Sequence, residues 1–322
     1  MNVLSLFDGM SCGRVALERA GIPVTTYYAS EVDKFAFQIA QKNYPDTIQL
    51  GDVRNILPTN TADVDLLIGG SPCQGFSFAG KQLNFENPRS KLFFEFVRLL
   101  DEVKPKYFLL ENVKMKKESE DIITSYLGVE PIEINSALVS AQNRKRLYWT
   151  NIPNVTQPED KGILLKDIAL DDVVPVALHN LYGGFKEKAV RVFEGKSPTL
   201  RTAAGGGHIP SFVKKDLLHS EKALDYMNRE VKDGRTHWDF AHHSDIRNNK
   251  SAAVVANFFK GVPYNVFKDW DCIRKFHPVE CERLQTLPDN YTEGVSATQR
   301  YKMLGNGWTV DVIAHILKGL KL

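Results

Sequence analysis

Short apolar runs alternate with helical patterns over roughly the first 150 residues of the chain. Apolar runs bounded by turn residues are typical of buried strands, whereas apolar residues that recur every three or four positions indicate helices. The alternation predicts βαβ units, and hence an α/β fold with a doubly wound, mostly parallel sheet. The predicted strands are residues 3–7, 26–29, 66–68 and 107–110, and the predicted helices are residues 14–20, 34–43 and 92–103.

This pattern is lost in the middle of the chain and returns near its end. Between about residues 151 and 275, Pro, Gly, Asn and His are frequent, and only residues 220–231 carry a helical pattern. A last helix is predicted from one apolar face, formed by Val310, Ile313, Ala314, Leu317 and Leu320. We predict a first domain over residues 1–165, a smaller irregular domain over 166–275, and a segment, 276–322, that returns to the first domain.

The composition is that of an ordinary globular protein. With 43% hydrophobic and 25% charged residues, it excludes disordered, collagen-like and disulfide-scaffold proteins. No apolar run approaches the roughly 18 residues of a membrane helix, and no basic region precedes the first apolar run. We therefore expect a cytoplasmic, monomeric protein without membrane association. The four cysteines lack C-x-x-C spacing and the histidines lack ligand spacing, so we expect neither a disulfide framework nor a metal site.

Positive charge is concentrated in residues 166–275. This stretch contains 18 Lys and Arg against 14 Asp and Glu, whereas the rest of the chain contains 23 against 25. Six of the eight histidines lie in the same stretch. A basic module beside a neutral body favours binding of a polyanion, although a solvated, loop-rich domain would have the same composition.

A candidate ligand site follows the first predicted strand. Gly9 and Gly13 lie in the turn before the first helix, where glycine lets a ligand approach the backbone, and Glu31 follows the second strand, where a carboxylate can hold ribose hydroxyls. The spacing is G-x-x-x-G rather than G-x-G-x-x-G, which disfavours a dinucleotide-dependent dehydrogenase. A nucleoside ligand without phosphates fits better.

The third predicted turn extends this site. Asp52 follows Gly51 and could accept a hydrogen bond from an adenine amino group, with Val32 or Val53 against the ring. Two glycines and an acid near strand ends also occur by chance, so this signal by itself is weak.

Cys73 is placed to be a nucleophile. It follows a predicted strand within Gly-Ser-Pro-Cys-Gln, residues 70–74, at the sheet edge where open α/β proteins hold their active sites. A thiolate is the reactive form of cysteine, so this role requires cationic neighbours or a helix N-terminus. A buried structural cysteine is the alternative.

A carboxylate and two arginines are candidates for the same edge. Glu111 follows four apolar residues, in a partly desolvated place that suits a catalytic acid, although it could equally belong to a helix N-cap. Arg144 and Arg146, in Gln-Asn-Arg-Lys-Arg, could bind a carbonyl oxygen or a phosphate, although a basic pentad is often a solvated surface.

Gly-Ser-Pro-Cys-Gln, Glu-Asn-Val at 111–113 and Gln-x-Arg-x-Arg at 142–146 occur in this order, and with them the chain resembles the DNA (cytosine-5) methyltransferase family. Residues 280–285 are similar to the ninth motif of the family and residues 304–306 to its tenth. The first and tenth motifs depart from the bacterial pattern and, with residues 91–96, resemble the de novo branch of the animal enzymes.

The resemblance implies a Rossmann-like methyltransferase fold, S-adenosylmethionine as cofactor and double-stranded DNA as partner, with residues 166–275 as the target-recognition domain. It implies that Cys73 attacks C6 of a flipped-out cytosine, that Glu111 contacts N3, and that Arg146 holds O2 with support from Arg144. The implied cofactor residues are Phe7, Asp8, Gly9, Gly13, Glu31, Val32, Asp52, Val53, Pro72, Leu92, Asn306, Trp308 and Thr309. The implied DNA contacts are Gln74, Ser77, Thr199, Leu200 and Arg201, of which Thr199 and Leu200 resemble the Thr-Leu pair of the recognition domain.

Two alternative functions are found among relatives of the same family: methylation of RNA, and DNA binding without catalysis. The RNA-methylating branch carries a Cys-Phe-Thr tripeptide, which this chain lacks. Catalytically silent relatives lose the nucleophile or its partners, whereas Cys73, Glu111 and Arg146 are all present. The recognised DNA sequence is not encoded in a readable pattern; Arg201, Arg235, His237 and Arg247 are candidates for base contacts.

Overall fold

The computed structural model describes most of the chain outside residues 73–90, which begin with Cys73 and are called the nucleophile loop below, and outside parts of residues 171–272. Cys73, Gln74, Ser77, Arg201, Arg235, Arg247 and the predicted helix at 220–231 lie outside the described residues. The described residues are 1–72, 91–170, 173–179, 190–200, 209–214, 237–238, 244–245, 250–251 and 273–321.

A seven-stranded sheet forms the centre of the first part of the chain. Its spatial order is β3-β2-β1-β4-β5-β7-β6, with β1 to β5 parallel and β7 antiparallel to both of its neighbours. This confirms the predicted doubly wound, mostly parallel sheet. The strands are β1 (Asn2–Leu6), β2 (Thr26–Ser30), β3 (Ile48–Gln49), β4 (Leu66–Gly69), β5 (Tyr107–Val113), β6 (Ile132–Asn135) and β7 (Lys145–Thr150).

Strand β5 is three residues longer than the sequence predicts. The prediction ended at Leu110, where the apolar run ends, but pairing with β7 continues through Glu111 to Val113, which lies opposite Arg146. Antiparallel pairing with a neighbouring strand therefore carries the polar residues of this segment into the sheet.

Both faces of the sheet are covered by apolar packing. Along β4, Leu66 and Ile68 belong to one core cluster and Leu67 to the other, as expected for a strand whose successive side chains point to opposite faces. Helix α3 contributes Phe93 and Phe96 to the second cluster. The helices of this part are α1 (Cys12–Arg19), α2 (Lys34–Asn43), α3 (Lys91–Val103), α4 (Lys117–Leu127) and α5 (Leu165–Ile168).

Local capping explains two of the helix boundaries. Asp33 accepts hydrogen bonds from the backbone N–H groups of Phe35 and Ala36, so α2 begins at its predicted residue. Gly128 ends α4 in the left-handed conformation, at a φ of 68°. None of the helices in the described ranges is at once long and apolar enough to cross a membrane.

The last part of the chain returns to the first sheet. Arg19 on α1 donates hydrogen bonds to Asp311 and to the carbonyl of Thr286, which joins the two ends of the chain. The predicted apolar face of the last helix included Leu320; the helix ends at Leu317, and Leu320 still packs against the same core cluster. The helices are α6 (Pro278–Leu284), α7 (Ala297–Asn306) and α8 (Val310–Leu317).

The middle segment contains antiparallel strands where an irregular domain was expected. Five of them form a sheet in the order β11-β9-β8-β10-β14, and β12 pairs with β13. Most of these strands are too short to show an alternation of apolar and polar residues in the sequence, and β8 contains Pro175, a residue that disfavours a strand assignment. They are β8 (Val173–His179), β9 (Val190–Glu194), β10 (Ser211–Lys214), β11 (His237–Trp238), β12 (Ser244–Asp245), β13 (Lys250–Ser251) and β14 (Ile273–Lys275).

Candidate active site

The turns after β1, β2 and β3 meet at one edge of the first sheet. The N–H of Asp8 donates to the carbonyl of Ser30 at 3.0 Å, and the Ser30 hydroxyl donates to the carbonyl of Gly51 at 2.7 Å. These two bonds bring together the three turns that the sequence singled out as a ligand site. This is the edge at which parallel strands of open α/β sheets end.

Glu31 is held by backbone donors from two of these turns. Its Oε2 accepts the N–H of Gly9 at 2.8 Å, and its Oε1 accepts the N–H groups of Val32 and Asp33, each at 2.7 Å. Oε1 thus already accepts two hydrogen bonds, whereas Oε2 has a second acceptor position that a hydroxyl group can use. Gly9 adopts a φ of 62°, and a Cβ there would meet no atom within 4 Å, so the loop above Glu31 faces open space.

An apolar surface and a second carboxylate flank Glu31. Val32 is 73% exposed and Val53 is buried. Asp52 is paired with Arg54, whose guanidinium and backbone N–H both bond its carboxylate and lower the pKa of Asp52 to about 2. Asp52 therefore stays an acceptor. The sequence analysis did not identify Arg54 as the partner of Asp52, although a cation two residues after a carboxylate can pair with it.

Phe7, Asp8 and Gly13 have packing roles. Phe7 lies against the apolar cluster that includes Val53. The Asp8 carboxylate is buried and accepts hydrogen bonds from the hydroxyls of Tyr27 at 2.8 Å and Ser11 at 2.6 Å, and burial raises the pKa of Asp8 to about 6. Its side chain therefore turns into the protein, contrary to a direct contact with a cofactor.

Gly13 is required for close packing of α1 on the sheet. A Cβ at this position would be 2.5 Å from Ile68 Cδ1 and 2.9 Å from the Tyr27 hydroxyl. Glycine here thus lets the helix approach the strands, and its predicted contact with a ligand stays a prediction.

Glu111 lies in β5 with a donor at each carboxylate oxygen. Its side chain is 11% exposed. Arg146 Nε forms an ion pair with Oε1 at 3.0 Å, without the alignment of a hydrogen bond, and Trp308 Nε1 donates to Oε2 at 3.2 Å. The structure thus brings Glu111 and Arg146 together, as their motifs imply. It adds Trp308, which the sequence assigned to the cofactor.

Asn112 connects this carboxylate to the segment that leads into the nucleophile loop. Its Nδ2 donates to the carbonyl of Ser71 at 3.4 Å and to the Ser71 hydroxyl at 3.2 Å. Pro72 follows, half-buried, and is the last described residue before Cys73. The Asn of the Glu-Asn-Val motif therefore holds the start of the Gly-Ser-Pro-Cys-Gln motif beside Glu111.

Comparison with known proteins decides the family. The C-5 cytosine-specific DNA methylase family matches residues 1–322. The chain belongs to this family. It is 35% identical to the orphan methyltransferase M.SPRI of Bacillus phage SPR, over 99% of this chain and 97% of that protein.

Two further relatives agree. The chain is 29% identical to the type II methyltransferase M1.ScrFI of Lactococcus lactis subsp. cremoris, over 97% of this chain and 75% of that protein. Its fold is similar to that of a DNMT2 from Spodoptera frugiperda, with a TM-score of 0.65, 19% identity and coverage of 99% and 98%. These matches confirm the predicted family, enzyme class and fold.

Within this family member, Arg144 is not aimed at a substrate. It is 3% exposed, and its guanidinium donates to the carbonyls of Leu200 at 3.4 Å, Gly305 at 3.3 Å and Gly307 at 3.0 Å. Burial, and next the charge of Arg146, lower the pKa of Arg144 to about 9. Its support of Arg146 is therefore indirect: it joins three backbone segments behind the site.

The Thr199-Leu200 pair is anchored to the segment before β7. The Thr199 hydroxyl donates to the carbonyl of Asn143 at 2.6 Å, and Gln142 Oε1 accepts the N–H of Leu200 at 3.0 Å. Leu200 is 2% exposed. The pair thus fixes where the recognition segment leaves the first sheet, and its contact with DNA stays a prediction.

Thr309 also serves the packing. It is 1% exposed, and its hydroxyl accepts from Ser136 Oγ at 2.8 Å and donates to Gln285 Oε1 at 2.9 Å, so it does not reach a cofactor. Asn306 is exposed at the end of α7, and Leu92 is half-buried at the start of α3.

Two cysteines in the described residues are unsuited to nucleophilic attack. Cys12 and Cys281 are both buried and free. Burial raises the pKa of Cys12 to about 12 and raises the pKa of Cys281 well above its ordinary value. Since only a thiolate is a strong nucleophile, neither residue competes with Cys73 for that role.

Proposed function

We propose that the protein transfers a methyl group from S-adenosylmethionine to C5 of a cytosine in double-stranded DNA. The observation that carries the proposal is the Glu111 carboxylate, buried at the active edge of the sheet with Arg146 at one oxygen. Asn112 bonds Ser71 beside it, two residues before Cys73. An acid, a cation and a nucleophile-bearing segment converge there, which suits attack on an electron-poor ring.

The three turns at the sheet edge fit the proposed cofactor. Glu31 offers Oε2 to a ribose hydroxyl, exposed Val32 offers an apolar surface to the adenine ring, and Asp52 offers an acceptor to the adenine amino group. The predicted contacts of Gly9, Pro72, Asn306 and Trp308 stay part of this proposal. When bound, S-adenosylmethionine supplies an electrophilic methyl group.

The residues of the chain make C5 reactive. Cytosine C5 is a poor nucleophile, so the thiolate of Cys73 adds to C6 and forms a carbon–sulfur bond. Glu111 holds N3 and the 4-amino group and gives N3 a proton, while Arg146 holds O2, so that electron density accumulates at C5. After methylation a base takes the C5 proton, the C5=C6 double bond re-forms as the bond to Cys73 breaks, and N3 returns its proton to Glu111, which restores both the thiolate and the acid.

Double-stranded DNA is the substrate that the charge pattern and the family support. A target base must leave the stack before Cys73 can reach C6, at a cost of a few kcal/mol. Cationic contacts from residues 166–275, with 18 Lys and Arg, offset that cost. Gln74 and Ser77 follow the nucleophile and would lie near the space that the flipped base leaves. Two relatives carry the names of type II and orphan methyltransferases.

Transfer of labelled methyl groups tests the proposal. Wild-type protein is incubated with labelled S-adenosylmethionine and unmethylated genomic DNA, in parallel with tRNA, and methylated cytosines are mapped at single-base resolution. We expect label in DNA, within one short repeated sequence. Label in tRNA alone would assign the protein to an RNA substrate, and no label in either nucleic acid, with cofactor bound, would favour a silent relative.

The covalent route has its own test. Cys73→Ser removes the nucleophile, and we expect the rate of methyl transfer to fall by about three orders of magnitude or more. Cys281→Ser is the matched control, since that thiol is buried on α6, and it should leave the rate unchanged. A Cys73→Ser protein that methylates DNA at an appreciable rate would show that attack at C6 is not by Cys73.

A further inference from the structure

The indole ring of Trp308 lies between the first helix, the turn after β4 and the Glu111 carboxylate. Its Nε1 donates to Glu111 Oε2 at 3.2 Å. A Cβ at Gly70 would be 2.9 Å from that nitrogen, and a Cβ at Gly13 would be 3.5 Å from the Cζ3 atom of the same ring. The ring therefore lies close to Gly13 at the start of α1, to Gly70 in the turn before the nucleophile loop, and to the Glu111 carboxylate.

Gly70 makes the contact between Trp308 and Glu111 sterically possible. A Cβ at residue 70 would lie 3.1 Å from Glu111 Oε2 as well as 2.9 Å from the indole nitrogen. Both distances are shorter than ordinary van der Waals separations. The missing side chain at this position thus leaves room for the N–H group to reach the carboxylate.

The backbone on both sides of Trp308 is fixed by buried hydrogen bonds. The carbonyl of Gly307 accepts from Arg144 at 3.0 Å and from Gln285 Nε2 at 3.3 Å. On the other side, the Thr309 hydroxyl is bonded to Ser136 and Gln285. A large ring attached to a fixed backbone has few orientations, so the direction of its N–H group is set by the fold.

We propose that Trp308 is a positioning residue for Glu111, in addition to any contact that its ring makes with the cofactor. An indole N–H can only donate, so it must face an acceptor position of Oε2. The Arg146 cation attracts Oε1 without an aligned hydrogen bond, so the indole N–H is the directional contact that sets the plane of the carboxyl group. The remaining acceptor and proton-carrying positions then face the target base in one geometry. This inference rests on the proposed methyl transfer to cytosine.

Trp308→Phe separates positioning from cofactor binding. Phenylalanine keeps an aromatic ring and removes the N–H. Under saturating cofactor and DNA, we expect kcat to fall roughly ten- to hundred-fold, the loss typical of one hydrogen bond to a charged group. We expect the KM for S-adenosylmethionine to stay within about three-fold of the wild type. A variant that raises this KM and leaves kcat unchanged would make Trp308 a cofactor contact only.

A double-mutant cycle asks whether the effect passes through Glu111. In the Glu111→Gln background, Trp308→Phe should lower kcat little further, because the carboxylate that it positions is already gone. Losses that add in the double variant would overturn the proposal. The two failures are distinguishable. If wild-type protein transfers no methyl group to DNA, the proposed function fails and this inference fails with it. If wild-type protein is active but the losses add, only the positioning role of Trp308 fails.

Trp149→Phe is the matched control. Trp149 is fully buried in β7, and its Nε1 donates to Thr124 Oγ1 at 3.0 Å, so the substitution also removes one indole hydrogen bond. We expect a lower unfolding temperature and an unchanged kcat. Should Trp308→Phe fail to fold, 3-benzothienylalanine at position 308 keeps the fused ring and removes only the N–H. The same loss of kcat is expected, and wild-type turnover with this residue would overturn the proposal.

Discussion

The Asp8 carboxylate shows how far burial can shift the chemistry of one residue. It is 9% exposed and is bonded by the hydroxyls of Ser11 and Tyr27, beneath the turn that carries Gly9. Burial disfavours its charged form and raises its pKa to about 6, although the two hydroxyl donors act in the opposite direction. The family resemblance alone assigned this side chain to the cofactor; its environment makes it an internal titrating group.

Asp8 therefore predicts a stability that falls as the pH rises. Between its ordinary pKa of 3.8 and the folded value of about 6, the folded protein binds a proton that the unfolded chain has released. Replacing the carboxyl group in Asp8→Asn removes this titration. From pH 4 to pH 7.5, the free energy of unfolding of the variant should rise relative to wild type by roughly 2 to 3 kcal/mol.

Urea unfolding followed by circular dichroism measures this difference. The comparison at pH 4 is the reference, because Asp8 is protonated in the folded protein there and only about half ionised in the unfolded chain, so little of the pH-dependent difference has developed. A difference between variant and wild type that does not change from pH 4 to pH 7.5 would contradict a raised pKa for this group.

Helices α6 and α7 are joined through the buried carboxylate of Glu282, a ninth-motif residue on α6. Glu282 on α6 is 0% exposed, and its oxygens accept the N–H groups of Asn290 at 2.7 Å and Thr292 at 2.8 Å. Arg300 on α7 pairs with the same carboxylate at 2.8 Å. This network fixes the loop between the two helices, and α7 in turn leads into Trp308.

Arg300→Met tests the network. It removes the cation and leaves the Glu282 carboxylate buried and uncompensated, so we expect the free energy of unfolding to fall by about 3 to 5 kcal/mol. Arg283→Met is the control, because its partner Asp289 is 45% exposed, and it should cost about 1 kcal/mol or less. Equal losses in the two variants, measured by urea unfolding, would contradict a special role for the buried pair.

At the scale of the whole molecule, cationic charge and the catalytic groups lie in different parts of the chain. Residues 166–275 have a net charge of +4, from 18 cationic and 14 anionic side chains, whereas Glu111 and Arg146 belong to the first sheet. The bonds of Arg144 and Gln142 to Leu200 connect the two parts. These bonds hold the described residues around Leu200 against the strands that carry Glu111 and Arg146.

This separation predicts salt-dependent DNA binding. If the excess cations make about four phosphate contacts, affinity for a labelled duplex should fall about 100-fold between about 50 and 200 mM KCl. Fluorescence anisotropy with Cys73→Ser protein measures binding without turnover. An affinity for S-adenosylmethionine that is unchanged over the same range is the control, and duplex binding that is insensitive to salt would contradict a phosphate-dominated interface.

The sequence by itself determined the fold class, the family, the four parallel strands β1, β2, β4 and β5 and the helices α1, α2, α3 and α8, and it placed Glu111 and Arg146 at the same edge of the sheet. These features are local: periodicity records which face of an element is buried, and the ends of parallel strands meet at one edge whatever else the chain does. Helix α2 begins and ends at its predicted residues because its cap, Asp33, is adjacent in sequence.

The tertiary structure decided which side chains face the site and which support it. Burial of Arg144, Leu200 and Thr309, and the inward turn of Asp8, depend on neighbours far away in the chain. The bond from Trp308 to Glu111 spans 197 positions. No local pattern encodes such a contact, because it forms only when the C-terminal segment packs against the first sheet. That packing determines which donor lies next to which acceptor.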